Sequence, residues 1–485
     1  MDKSKPSQSK EMNIKKVKKH GTEHLLDKHA AVAEVSRDMN FLNLSMFKPH
    51  RGALMQLLKH EYWMRAWIIQ EISVNPNHEV IWGSDVFRLD ELVVTLQTLT
   101  HVNGIGNSQA RHHIEQLWSI RQSQLSLQPL ALVDALKMCR QAQASIYQDR
   151  VFALLSLTHD GSRLVPQPSY EVSMDMLSRN MTIRMIQATG KLDLVVAKAH
   201  DVESWYPDWF HAQSWASSSR GPAGMPSLIR SDPIGPSYCA SKNFKADLRP
   251  SSGHVGVNLK GLRIGHVTAR SPTLKEAKAS MLDSSHITVP RAWRDQKKGE
   301  IHPCAKDTTV TEALRWLLVD ITGNYRDDYF SVSNKRNKFG LLWKLLHRRE
   351  SSIQEHAPGL IQWMNCCERQ GLQINGEPFV SYFSDRNEKA AAPRAFPRIC
   401  QTIQWNLEAG MRLGSLSGGQ LGWLHKNTRV GDKVVILLGS SMPCVIRPCL
   451  GDRRASTIVG PCIIDGVMNG EALKDATERL EYIDL

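Results

Sequence analysis

Tyr62-Trp63-Met64-Arg65-Ala66-Trp67-Ile68-Ile69-Gln70-Glu71-Ile72, followed by Val80-Ile81-Trp82-Gly83, is the stretch on which the reading of this chain turns. Between residues 54 and 72, Leu54, Leu57, Leu58, Tyr62, Arg65, Ile68, Ile69 and Ile72 step by three and four. That spacing predicts one amphipathic helix. On such a helix Trp67 and Glu71 share a face, so a large aromatic surface lies beside an ionisable carboxylate. Arg65 and Gln70 supply polar contacts around the same helix. The Asn75-Pro76-Asn77 turn then releases the chain into a strand over residues 78–87, with Trp82-Gly83 read as a buried strand end.

Further segments of distinctive wording follow along the chain. They are Gln148-Asp149-Arg150-Val151-Phe152-Ala153-Leu154-Leu155-Ser156-Leu157, then Ser204-Trp205-Tyr206-Pro207-Asp208-Trp209. Near the end come Gly431-Asp432-Lys433-Val434, Leu438-Gly439, Pro443, Arg447-Pro448, Val459-Gly460 and Gly466-Val467-Met468-Asn469-Gly470-Glu471. In this order they resemble the fungal heterokaryon-incompatibility (HET) domain and the tail that follows it. The resemblance implies a family core at Arg65, Trp67, Gln70, Glu71, Trp82 and Gly83. It also implies a role in fungal self/non-self recognition and programmed cell death, with other proteins of the incompatibility pathway as partners and self-association left open. HET domains in turn resemble the TIR fold. By that more distant likeness Glu71 would be a catalytic carboxylate, stabilising the ribose oxocarbenium as nicotinamide leaves NAD. NAD would then be a substrate, and no cofactor is expected. The family's opening Leu-Ser-Tyr-x-Trp-Gly and Trp-Ile-Asp-x-x-Cys strands do not occur here, so the expectation is an N-terminally truncated domain. One carboxylate without those strands favours a non-enzymatic protein acting by association, with NAD glycohydrolysis as the alternative.

The fold class expected is α/β: an incomplete TIR-like HET domain, then helical segments, then a β-rich C-terminal region. The boundaries read as a basic leader at 1–22, a partial HET domain at 23–160 and a helical extension at 161–213. A Ser/Gly/Pro-rich linker at 214–254 leads to a mixed C-terminal domain at 255–485. Within the last, residues 255–269 alternate like two strands with Gly261 at the turn between them. Residues 401–473 punctuate apolar runs with Gly, Pro and Asp, as strands do.

Composition excludes several classes. With 41% hydrophobic and 22% charged residues over 485 positions, the chain has ample material for a core. No apolar run approaches the roughly 20 residues that a membrane-spanning helix needs. No apolar stretch follows the N-terminal lysines as a secretory signal would require. The expected location is cytoplasmic, with Lys15-Lys16-Val17-Lys18-Lys19 as a weak nuclear signal. Nine cysteines without regular spacing suggest reduced thiols, Cys366 and Cys367 among them as half-buried apolar residues. The net charge of +13 is concentrated in the leader and in a basic amphipathic segment at 335–349. That segment reads as a packed helix with a cationic solvent face, so no nucleic-acid partner is expected. Gly104-Ile105-Gly106 lacks the third glycine of a dinucleotide fingerprint, and Gly431-Asp432-Lys433 lacks the rest of a phosphate loop. His112 and His113, adjacent on a helix, point about 100° apart and do not suggest a shared metal, with or without His101.

Overall fold

The computed structural model describes residues 48–75, 77–98, 109–196, 204–210, 238–251, 256–280, 313–314, 317–318, 358–374, 376–379, 403–404, 406–449, 455–474 and 476–485. The basic leader, the segment 335–349, His101, the Gly104-Ile105-Gly106 stretch and linker residues 214–237 lie outside them. The chain divides into two compact units, one ending at Leu177 and the other beginning at Ser178.

In the first unit the signature stretch is not one helix. Helix α1 (Lys48–Lys59) gives way to a 3-10 turn (Glu61–Met64), and α2 begins only at Ile68 and ends at Val74. Arg65 between them is extended, with φ −69° and ψ 134°. A tertiary partner causes the break: Gln143 donates its backbone N–H to Met64 at 2.5 Å and accepts from that of Ala66 at 2.8 Å. These bonds replace helical ones and override the periodicity. The turn is pinned by Trp63, buried, whose indole N–H donates to the Leu57 carbonyl at 2.8 Å.

The hairpin that follows is two strands, β1 (Glu79–Trp82) and β2 (Asp85–Arg88), rather than the one strand expected over 78–87. Gly83, at φ +64°, opens the two-residue turn between them, a conformation that disfavours any side chain. Helices α3 (Leu89–Thr98) and α4 (Gln109–Leu125) come next. Ile68, Ile69 and Ile72 of α2 are buried, and α2 packs on α4. Burial of each isoleucine contributes roughly 1.5–3 kcal/mol, which outweighs the low helix propensity of β-branched residues. Arg121 of α4, also buried, closes the end of α2 by donating to the carbonyls of Ile72 (2.6 Å) and Asn75. Helix α5 (Leu132–Met138) is capped from afar, the Leu132 N–H donating to the Asp160 carboxylate at 2.7 Å. Short helices α6 (Asp149–Phe152) and α7 (Gly161–Leu164) follow, and α8 (Met174–Thr189) carries the division between units.

The second unit is built on a closed antiparallel barrel. Helix α9 (Asp193–Val196) and strand β3 (Leu248–Pro250) precede β4 (Val257–Arg270). Helices α10 (Leu274–Ala279) and α11 (Pro358–Arg369) and the hairpin β5 (Gln373–Ile374) and β6 (Glu377–Pro378) intervene. The barrel continues with β7 (Arg412–Leu416), β8 (Leu421–Leu424), β9 (Lys433–Leu437), β10 (Cys444–Pro448), β11 (Ser456–Pro461), β12 (Ile463–Ile464) and β13 (Glu481–Asp484). Strand order is β11-β10-β9-β4-β7-β8-β12, with β3 and β13 also paired to β4. The two ends of that order are consecutive in sequence. β11 and β12 form one segment bent at Cys462, pairing β10 with its first half and β8 with its second, which closes the ring.

Both faces of the wall are covered. Leu262, Leu416, Leu424, Val434, Ile436, Val445 and Ile464, drawn from six strands, fill the interior. On the outside, Leu413, Leu421, Trp423 and Ile463 pack with Trp363 and Met364 of α11, while Leu259, Val435, Leu437 and Ile446 pack with Ile186, Leu192 and Trp205. Two-sided burial explains why residues 434–438 are an unbroken apolar run instead of alternating. Cys366 and Cys367 lie inside this outer layer and are fully buried, deeper than the half-burial expected.

Gly261 is not at a turn: β4 is continuous, and Gly261 sits in mid-strand where β9 comes closest. A Cβ there would meet the Ile436 carbonyl oxygen at 2.7 Å, so the residue is a close-approach glycine. The overall composition is therefore helices plus a C-terminal antiparallel sheet. Among the described residues the first unit has the β1–β2 hairpin and isolated bridges as its β structure.

Candidate functional site

The signature residues gather at the start of α2, on its outer side. Trp67 is its N-cap and remains 38% exposed; Arg65 and Glu71 are exposed and Gln70 is half-buried. The Glu71 N–H lies 3.4 Å from the Trp67 carbonyl, so the two residues are one helical turn apart, as their spacing suggested, although the helix starts there instead of passing through. The break brings in a residue that periodicity placed on the buried side. Tyr62 comes to lie beside the Glu71 carboxylate, and its hydroxyl pKa is raised by burial, then by the negative charge of Glu71, against the opposing charge of Arg65. The phenol is thus kept protonated beside Glu71.

His78, just past α2, has its pKa lowered first by burial and then by the charge of Arg121, with Glu71 opposing. Trp82 is half-buried, not at a buried strand end, and meets the His60 ring edge-on with centroids 5.6 Å apart. Gly83 serves the hairpin turn and touches nothing: no atom lies within 4 Å of where its Cβ would be. Trp82 and Gly83 therefore shape the hairpin, while Arg65, Trp67 and Glu71 offer side chains to solvent.

Two segments far apart in sequence meet here. The Gln70 amide donates to the Ser156 hydroxyl at 3.0 Å, joining the signature helix to the Asp149–Leu157 stretch. In that stretch Asp149 accepts from the Tyr170 hydroxyl at 2.7 Å, a bond that raises the Tyr170 pKa. Sequence reasoning missed Tyr62, Ser156 and Arg121 as partners, because only a broken helix and a folded chain bring them together. His112 faces solvent and His113 is fully buried, so the pair diverges. Among the described residues no group of three or more His, Cys, Asp or Glu could hold a metal ion.

In the second unit the quoted motifs are structural anchors. Trp209 donates from its indole to Thr182 at 2.9 Å. Asp432, of the Gly-Asp-Lys-Val run, is 4% exposed and forks with Arg447 through two bonds of 2.8 Å. Residues 405–483 match the Het-6 beta-barrel domain. This relates the chain, in general terms, to fungal heterokaryon-incompatibility proteins. The matched range runs from just before β7 into β13 and omits β4, the strand that separates β9 from β7 in the ring. No curated protein and no solved structure matches the chain. Among the described residues no helix is long and apolar enough to cross a membrane.

Proposed function

We propose that this chain is an incompatibility-type signalling protein of fungal self/non-self recognition, acting through protein association and ending in a cell-death response. The observation that carries the reading is the Het-6 barrel match over 405–483. The first unit supports it independently. Arg65 and Trp67, the residue types that dominate association energies, stand exposed on a segment whose backbone is fixed at both ends, by Gln143 and by the α2–α4 packing. A HET-type role for residues 23–160 and a cytoplasmic location belong to this proposal.

The test is inducible expression of the whole chain in a filamentous fungus, scored by growth arrest and vital-dye uptake. Arrest in at least one compatibility background is expected. Unaltered growth in every background, with the protein accumulating, would sink the reading.

A second reading, NAD cleavage, is favoured by one arrangement: the Glu71 carboxylate one turn from Trp67 and beside the Tyr62 hydroxyl. Against it stands the openness of Glu71, since glycosyl transfer relies on a site that excludes water. Glu71-dependent release of nicotinamide from NAD by the purified chain would establish it, and equal rates with and without protein would dismiss it.

A further inference from the structure

One end of the barrel carries charge that the fold itself does not use. The loop from His425 to Asp432 lies across the end of β4, with Gly431 donating to the Val267 carbonyl at 2.9 Å and Val267 to that of Asp432 at 2.8 Å. It is held rigid from both sides. Arg412 donates to the Lys426 carbonyl at 2.5 Å and Arg447 to the Asn427 carbonyl at 2.7 Å. The same two arginines occupy the carboxylates nearby: Arg412 forks onto Glu276 with two bonds of 2.7 Å, and Arg447 onto Asp432. Among the described residues, four cations on this end have no ion pair or side-chain hydrogen bond. Lys426 and Arg429 are exposed, and Arg270 and Lys433 are half-buried. In the same loop Val430 projects with 62% of its surface in water.

We propose that this end of the barrel docks an acidic, partly apolar segment of a protein partner, with Arg270 and Arg429 receiving carboxylates and Val430 an apolar side chain. Three features support a protein over a nucleic acid or a lipid surface. The fold already pairs its arginines with carboxylates as forks at this spot. The loop carries an exposed valine, and residues 426–433 carry no aromatic side chain on which a base could stack. The loop is also preorganised, so docking orders little that is not ordered already. The charged groups around Arg270 are Arg412, Arg429, Glu276 and Asp432. Burial, then the charge of Arg412, lowers the Arg270 pKa against the opposing charges of Glu276 and Asp432. The proposal concerns a surface separate from the signature residues and does not rest on the incompatibility reading.

The experiment uses the full chain and three fluorescent probes at about 0.05 M and 0.3 M salt: a peptide alternating Glu and Leu, a single-stranded oligonucleotide and anionic phosphatidylserine vesicles. The peptide is expected to bind best, with affinity falling as salt rises. In the Arg270→Gln/Arg429→Gln variant, peptide binding should weaken by at least about tenfold, because two charge-assisted bonds are lost. Neither arginine has an ion pair to lose on substitution, and an unaltered melting temperature will verify that folding is intact. Val430→Ser should weaken the peptide while leaving the oligonucleotide unaffected. No peptide binding, equal binding by the double variant, or tighter binding of oligonucleotide or vesicles than of peptide would each overturn the proposal.

Discussion

Replacing Asp432 by Ala removes the acceptor on which the His425–Asp432 loop is built. The carboxylate takes two bonds from the Arg447 guanidinium, each 2.8 Å, and one of 2.7 Å from the Arg429 N–H. Breaking a buried ion pair from one side costs about 3–5 kcal/mol, since the other charge stays behind. The Arg447 side chain is 26% exposed and keeps its bond to Asn427, so water and that carbonyl recover part of the loss. The expected cost is therefore about 2–3 kcal/mol after discounting for screening. For a body of this size that lowers the melting temperature by roughly 4–9 °C. Thermal unfolding followed by circular dichroism should be run on Asp432→Ala, Arg447→Ala and the double variant. The coupling should be about 1–3 kcal/mol, the double variant being no worse than the poorer single one. Strict additivity, or a shift of Asp432→Ala below about 0.5 kcal/mol, would refute the argument that the pair anchors the loop.

Three shorter predictions follow from neighbouring features. Gly261→Ala drives a methyl toward the Ile436 carbonyl oxygen, 2.7 Å away, and should cost about 1–3 kcal/mol in a denaturant titration. Burial alone would raise the Glu276 pKa, but bonds from Arg412 and Thr273 hold it down at about 2. The resulting stabilisation is complete above the ordinary carboxylate value of about 4.3 and is lost as pH falls from there through about 2. Acid titration should show a larger loss in the wild type than in Arg412→Gln, where only the Thr273 bonds remain. Burial pushes the Cys139 and Cys444 thiols up to about 12, whereas Cys239 is exposed. Mass-resolved alkylation of the native chain at pH 8 should therefore modify Cys239 and spare Cys139 and Cys444.

The sequence was legible where a local pattern coincides with a tertiary one. The C-terminal strands were readable because Gly, Pro and Asp punctuate apolar runs. What could not be read lies in contacts between distant segments. Residues 54–72 have helical spacing throughout, yet Gln143 claims the backbone on either side of Arg65 and splits the helix. The periodicity therefore put Tyr62 on the wrong side, and its place beside Glu71 was invisible. β4 belongs to the barrel, but 141 positions separate its Arg270 from Met411 just before β7, and no local signal says that the two segments are neighbours. Asp432 and Arg447 were both noticed as motif residues; their pairing depends on the β9–β10 fold and was not.

The most direct test of the association account compares two substitutions on the exposed start of α2 in the same fungal expression assay, with protein levels matched. If the segment works as a contact surface, Trp67→Ala abolishes or strongly weakens the growth arrest while Glu71→Gln, which keeps the shape beside Tyr62, arrests growth like the wild type. The opposite pattern, arrest surviving Trp67→Ala and vanishing in a folded Glu71→Gln protein, would contradict association and point to the carboxylate as a chemical group.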